Sequence, residues 1–149
     1  MVATTKQLVT NTWAIATWDE FLKNLENPAH VKAKGYYQNG KYRIEMTPIG
    51  NEHSQDHSII NHAVYLYATL RNIPLTGKDN CSYRQVGLKE FQPDLSYYVG
   101  NNANAIPWGV GVVDLNEYPV PDLVIEVANT SLADEKKKKG LIEIEVFEE

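Results

Sequence analysis

The stretch that most constrains the fold is Pro121-Asp122-Leu123-Val124-Ile125-Glu126-Val127. Leu123, Ile125 and Val127 alternate with Val124 and Glu126, the period-two pattern of a strand. Both faces are apolar except at Glu126, which marks a strand buried inside an α/β protein rather than one laid on its surface. The glutamate then has two possible settings. Either it is buried and answered by a cation, a metal or hydrogen bonds, since an unpaired buried charge is costly, or it stands at the exposed end of the strand. A lysine run, Lys136 to Lys139, follows shortly after.

The residues before this strand supply the other elements. Thr17 with Glu20 three positions on is a capping box, and it predicts a helix from Trp18 to about Leu25 with Phe21, Leu22 and Leu25 on one face. Asn39-Gly40 between Tyr36-Tyr37 and Tyr42-Arg43-Ile44 predicts a hairpin with a type I′ turn, because that turn needs positive φ at both central positions. Its register sets Tyr37 opposite Tyr42. A long helix follows from Glu52 to about Arg71, capped by Asn51 or Ser54, with Ile59, Ile60, Ala63, Val64, Tyr67 and Leu70 as its apolar stripe. Pro74 and Gly77 mark the exit from it. Strands are expected over Cys81–Val86 and Gln92–Val99, separated by a turn at Gly87–Glu90. Residues 100–120 form a long surface loop rich in Asn, Gly and Pro. Ser131 would cap a short helix through the lysines that Gly140 stops, and Leu141–Phe147 alternates as a final strand.

Size and charge bound the rest. The 149 residues are expected to form a single domain, with a partly ordered segment at 1–16 and an atypical C-terminal segment at 140–149. No apolar run is long enough to span a bilayer, and the polar stretch Met1–Thr12 lacks the apolar core of a signal peptide, which points to the cytoplasm. The single cysteine, Cys81, excludes an internal disulfide. A net charge of −5 argues against a broad, sequence-blind grip on nucleic acid, though not against a local basic patch.

Asp94, at the start of one strand, and Glu126, inside another, suit two hard oxygen ligands for Mg²⁺. A nearby lysine would position or activate water for attack on a phosphate. Glu45 or His53 would add a third ligand or a proton acceptor. The bland reading stays open beside this one: two carboxylates on neighbouring strands are common, and consecutive lysines often form a solvated helix face.

The succession Tyr42-Arg43-Ile44-Glu45-Met46-Thr47-Pro48, Glu52-His53, Gln92-Pro93-Asp94-Leu95 and Leu123-Val124-Ile125-Glu126-Val127, then Ser131, resembles the Uma-two family within the PD-(D/E)xK nuclease superfamily. The resemblance covers roughly Thr17 to Lys139. It implies a restriction-endonuclease-like α/β fold, with a central mixed sheet, a long helix packed on one face and a β-hairpin before it. It implies hydrolysis of DNA phosphodiester bonds with Mg²⁺ as cofactor, Mn²⁺ as a substitute, and Asp94, Glu126 and Glu45 as metal ligands. Ala128 stands where the superfamily's lysine follows the glutamate, and the resemblance moves that role to Lys139, with Lys138 as the alternative. His53 matches a polar position at the start of the long helix. After the lysines this chain departs from the family pattern, as a shortened or altered member would. The other reading is a catalytically silent nuclease-like module that binds nucleic acid or a protein partner.

Two further expectations follow. Asp122, four residues before Glu126 on the same strand, lies about 13 Å from it and cannot share its metal. Cutting both strands of a duplex with one site per chain calls for a homodimer, and Ile142, Ile144 and Val146 offer a strand edge for it.

Overall fold

The computed structural model describes residues 11–46, 50–128 and 141–145. In chain order they form β1 (Ala14–Ile15), α1 (Trp18–Leu25), a 3₁₀ turn (Pro28–His30), β2 (Lys34–Gln38), β3 (Lys41–Glu45) and α2 (Asn51–Leu70). Then come β4 (Leu75–Asp79), β5 (Tyr83–Gln85), β6 (Lys89–Phe91), β7 (Leu95–Val99), a second 3₁₀ turn (Gly100–Asn102), β8 (Val113–Asp114), β9 (Leu123–Ala128) and β10 (Leu141–Glu145). Strands pair both antiparallel and parallel and two helices accompany them, consistent with a restriction-endonuclease-like α/β fold. Among the described residues no helix is long and apolar enough to cross a membrane. The chain falls into two compact units, Met1–Pro48 with Gln85–Phe91, and Ile49–Arg84 with Gln92–Glu149.

In the first unit local signals decide the elements. Thr17 Oγ1 accepts from the Glu20 amide at 3.3 Å, and the Thr17 amide donates to Glu20 Oε2 at 2.8 Å, so the expected capping box closes from both sides. That box aims Phe21 inward, where it is fully buried with Tyr37, Tyr42 and Ile44. Asn39 and Gly40 have φ of +52° and +72°, both in the left-handed region the hairpin turn requires. Tyr37 and Tyr42 are register partners, as expected, and β6 lies on the other side of β2.

The second unit carries a four-stranded sheet in the order β10-β9-β7-β4, with neighbours antiparallel. β9 is therefore an interior strand, as its apolar run requires. Leu95, Tyr97, Ile125 and Val127 form the core of this unit, and Ile60 and Val64 of α2 pack on it with Leu75, Val99 and Leu123. The odd-numbered positions of β7 and β9 thus face α2.

Several expectations change here. The helix starts at Asn51, so Gly50 is its N-cap and no side chain caps it. The Gly50 carbonyl accepts from the Ser54 amide instead, at 3.1 Å. Of the expected stripe, Ile60 and Val64 turn inward but Ile59, Tyr67 and Leu70 are 57%, 59% and 73% exposed. The inward line runs His53, His57, Ile60, Asn61, Val64, Ala68, so two histidines and an asparagine take places that the apolar pattern assigned elsewhere. Gly77 sits inside β4, a strand where only a helix exit was expected. A Cβ there would lie 2.9 Å from the Tyr65 hydroxyl and 3.0 Å from a Tyr97 ring carbon, so this strand needs glycine to pass between the two rings. The expected strand over Cys81–Val86 shrinks to Tyr83–Gln85, and the segment 100–120 holds a 3₁₀ turn and the short β8, parallel to β5. The expected helix through the lysines lies outside the described residues, as do Val146 and Phe147 of the last strand.

Candidate active site

Asp94 sits one residue ahead of β7, after Pro93. The register of β7 with β9 pairs Leu95 with Ile125, which brings Asp94 opposite Glu126. The two residues interlock through the main chain. The Asp94 amide donates to Glu126 Oε2 at 3.3 Å, and the buried Val127 amide donates to Asp94 Oδ2 at 2.7 Å. Glu126 is thus half-buried beside a strand it helps to fasten, and Asp94 is buried at 3% exposure. The second of the two settings open to Glu126, an exposed strand end, does not occur.

The first turns of α2 close on Asp94 from another side. His53 Nε2 is 3.6 Å from Asp94 Oδ1, a pair that becomes an ion pair when the ring is protonated. His57, one turn further on, has its Nε2 2.9 Å from the main-chain oxygen of Asp94 and 3.5 Å from Asp79 Oδ1. The two rings stack with centroids 6.0 Å apart. His53 is among the residues expected from the sequence and His57 is not. The signal that could have found it is the His-x-x-x-His spacing, which puts both rings on one helix face.

The other expected residues divide. Glu45 lies in β3 of the first unit, where it takes the Arg43 guanidinium at 3.2 Å. Lys138 and Lys139 lie outside the described residues. Asp122 lies just ahead of β9 and binds the main chain and side chain of the loop start. Its Oδ2 accepts from the Val99 amide at 2.7 Å and its Oδ1 from the Asn102 side chain at 2.9 Å, pinning the start of the long loop to β9. Among the described residues no group of three or more His, Cys, Asp or Glu side chains is arranged to hold a metal ion.

The second unit also buries several tyrosines. Tyr97 donates from its hydroxyl to Asn61 Oδ1 at 3.0 Å, tying α2 to β7. Burial, with smaller contributions from Tyr65 and Asp79, pushes its phenol up to about 12. Tyr83 and Ser96 share a buried hydroxyl contact of 2.6 Å, and burial raises the Tyr83 phenol further still. These hydroxyls stay protonated across the physiological range, so they bond as neutral groups.

No significant match exists among curated proteins or solved structures. The profile of one protein family does match, and it spans residues 18–142, which include both strands of the interlocked carboxylates and both histidines. Over most of its length, therefore, this chain belongs to the Uma2 family, whose description is "Putative restriction endonuclease".

Proposed function

We propose that this chain is a metal-dependent endonuclease-like protein that hydrolyses DNA phosphodiester bonds. The observation that carries this reading is the interlocked pair: two carboxylates from neighbouring strands, joined by the 3.3 Å contact of the Asp94 amide with Glu126 Oε2. Restriction-endonuclease-like proteins typically use divalent metals, and the donor chemistry fits Mg²⁺. That ion is commonly held by one or two carboxylates with water completing the shell, so a third acidic side chain is not required. Asp94 and Glu126 would hold it, with Mn²⁺ as a substitute. When bound, the ion supplies charge stabilisation to the phosphoryl oxygens and acidifies water.

The residues of the chain do the rest. Strand pairing presets the two carboxylates before DNA arrives, which reduces the reorganisation left to the reaction. His53, within 3.6 Å of Asp94 Oδ1, is placed to exchange a proton near that oxygen. Lys139, or a neighbour in the run 136–139, would orient the attacking water. Two chains acting as a homodimer would cut both strands, and light scattering at high protein concentration should give twice the mass of the monomer.

One observation favours a second reading, a catalytically silent nuclease-like module that binds nucleic acid or a protein partner. It is that each carboxylate already accepts a main-chain amide, a structural duty that needs no metal. Nicking of supercoiled plasmid in Mg²⁺ decides between the two. The nuclease reading expects nicking by the native chain and none by Asp94→Asn, and nicking that is equal in both would remove it.

A further inference from the structure

Asp94 is gripped at every polar atom of its main chain and at its carboxylate. Its amide reaches Glu126, and its Oδ2 takes the Val127 amide. Its carbonyl oxygen accepts twice, from the Asn80 amide at 3.0 Å and from His57 Nε2 at 2.9 Å. A carbonyl can only accept, so the His57 ring must carry its hydrogen on Nε2. Asn80 belongs to the turn after β4 and Glu126 to β9, so His57 is what ties the Asp94 carbonyl to the helix α2.

The place of His57 on α2 explains why a polar residue sits there. Further along the helix, Ile60 and Val64 carry the contact with the sheet through apolar packing. At the helix start no apolar side chain faces inward, and His53 and His57 stand there instead. The side chain of His57 is 14% exposed, whereas Asp79, its other neighbour, is 63% exposed and well screened. The carbonyl of Asp94 is therefore the partner that fixes the ring.

We infer that His57 is the positioning residue of this site: by hydrogen-bonding the Asp94 carbonyl it fixes the peptide to which the Asp94 carboxylate is attached, and so aims that carboxylate. This deepens the proposed function and rests on it for the consequence that His57 governs metal affinity. The aiming itself does not need a metal. His53 has a different part, since it faces the carboxylate and not the main chain.

The test uses the full chain with His57→Ala, His57→Asn and His57→Gln. Glutamine places an amide N–H near the position of Nε2, whereas asparagine is polar but too short to reach the carbonyl. The first measurement is metal-free hydrogen exchange of the Val127 amide, the donor to Asp94 Oδ2. Loss of the grip should speed that exchange about tenfold in the Ala and Asn chains, the equivalent of one net hydrogen bond, and leave the Gln chain close to native. The second is Mn²⁺ affinity followed by its electron paramagnetic resonance signal. It should weaken by about 10–100-fold in Ala and Asn, the usual cost of removing a residue that orients a ligand, with recovery in Gln. Should the alanine chain fail to fold, the asparagine chain makes the same comparison. Native Val127 exchange in a folded Ala or Asn chain overturns the inference, and so does a Gln chain as impaired as the Ala chain. A native chain that binds no Mn²⁺ removes the proposed function instead, and Val127 exchange then decides the role of His57 by itself.

Discussion

Asp94 has two tasks that only a well-chosen substitution separates. Its Oδ2 satisfies the buried Val127 amide at 2.7 Å, a structural duty, while its charge is what a divalent ion would use. Asp94→Ala removes both. The stranded amide alone should cost about 1–3 kcal/mol in metal-free urea denaturation, so lost nicking in that variant mixes chemistry with stability. Asp94→Asn keeps an oxygen that can accept from Val127, and its metal-free stability should stay within about 1 kcal/mol of native. An equal, large loss in both would mean that the ionised carboxylate itself, paired with the ring of His53, holds this corner together. Glu126 has the same double character more weakly, because the contact it accepts is longer, at 3.3 Å.

Strand β7 carries the pair's stability in another form. Tyr97 and Tyr98 adjoin each other on it, and burial raises both phenols, Tyr97 to about 12. A phenol whose folded value lies above the unfolded value of 10.0 holds its proton longer in the folded chain. The unfolded chain then binds fewer protons above pH 10, so stability falls as pH rises. The contribution is whole below about 10 and is lost as pH climbs through about 12. Alkaline titration followed by tyrosinate absorbance should therefore show ionisation coinciding with unfolding, and Tyr97→Phe should move the midpoint to higher pH. Gradual ionisation with no change in circular dichroism would contradict this. At this scale the sequence was most readable where a signal is local. Thr17 with Glu20, and Asn39 with Gly40, are complete instructions within four residues. β4 was hidden because Gly77, Lys78 and Asp79 disfavour a strand on their own, and pairing along β7 from Leu75 to Asp79 overrides them. The contact of His57 with Asp94 was hidden for a similar reason. A histidine reveals its acceptor only when the fold brings a distant carbonyl to it, here from Asp94, and the apolar count along α2 gave the stripe a direction that the two inward histidines rotate.

For the whole molecule the proposed metal is the variable that separates the two readings. Asp94 and Glu126 both belong to the unit formed by Ile49–Arg84 and Gln92–Glu149, so the proposed ion would stabilise that unit and its binding should appear in the thermal transition. A ligand that binds only the folded state stabilises by about 2.7 kcal/mol at 100 times its Kd. For a chain of this size that corresponds to a rise in Tm of roughly 5–10 °C. Mg²⁺ or Mn²⁺ should each raise the Tm, and Glu126→Gln should remove most of the rise, because an amide keeps the acceptor for the Asp94 amide but loses the charge that holds a hard cation. Lys139→Ala should leave the metal response nearly intact while abolishing nicking, since the lysine is proposed to act on water and not on the ion. The three curves together separate a ligand from a residue that serves only the attacking water, which nicking alone cannot do. Identical melting of the native chain with and without excess Mn²⁺ would instead leave Asp94 and Glu126 as an interlock that closes β7 onto β9, and the silent module would be the better account.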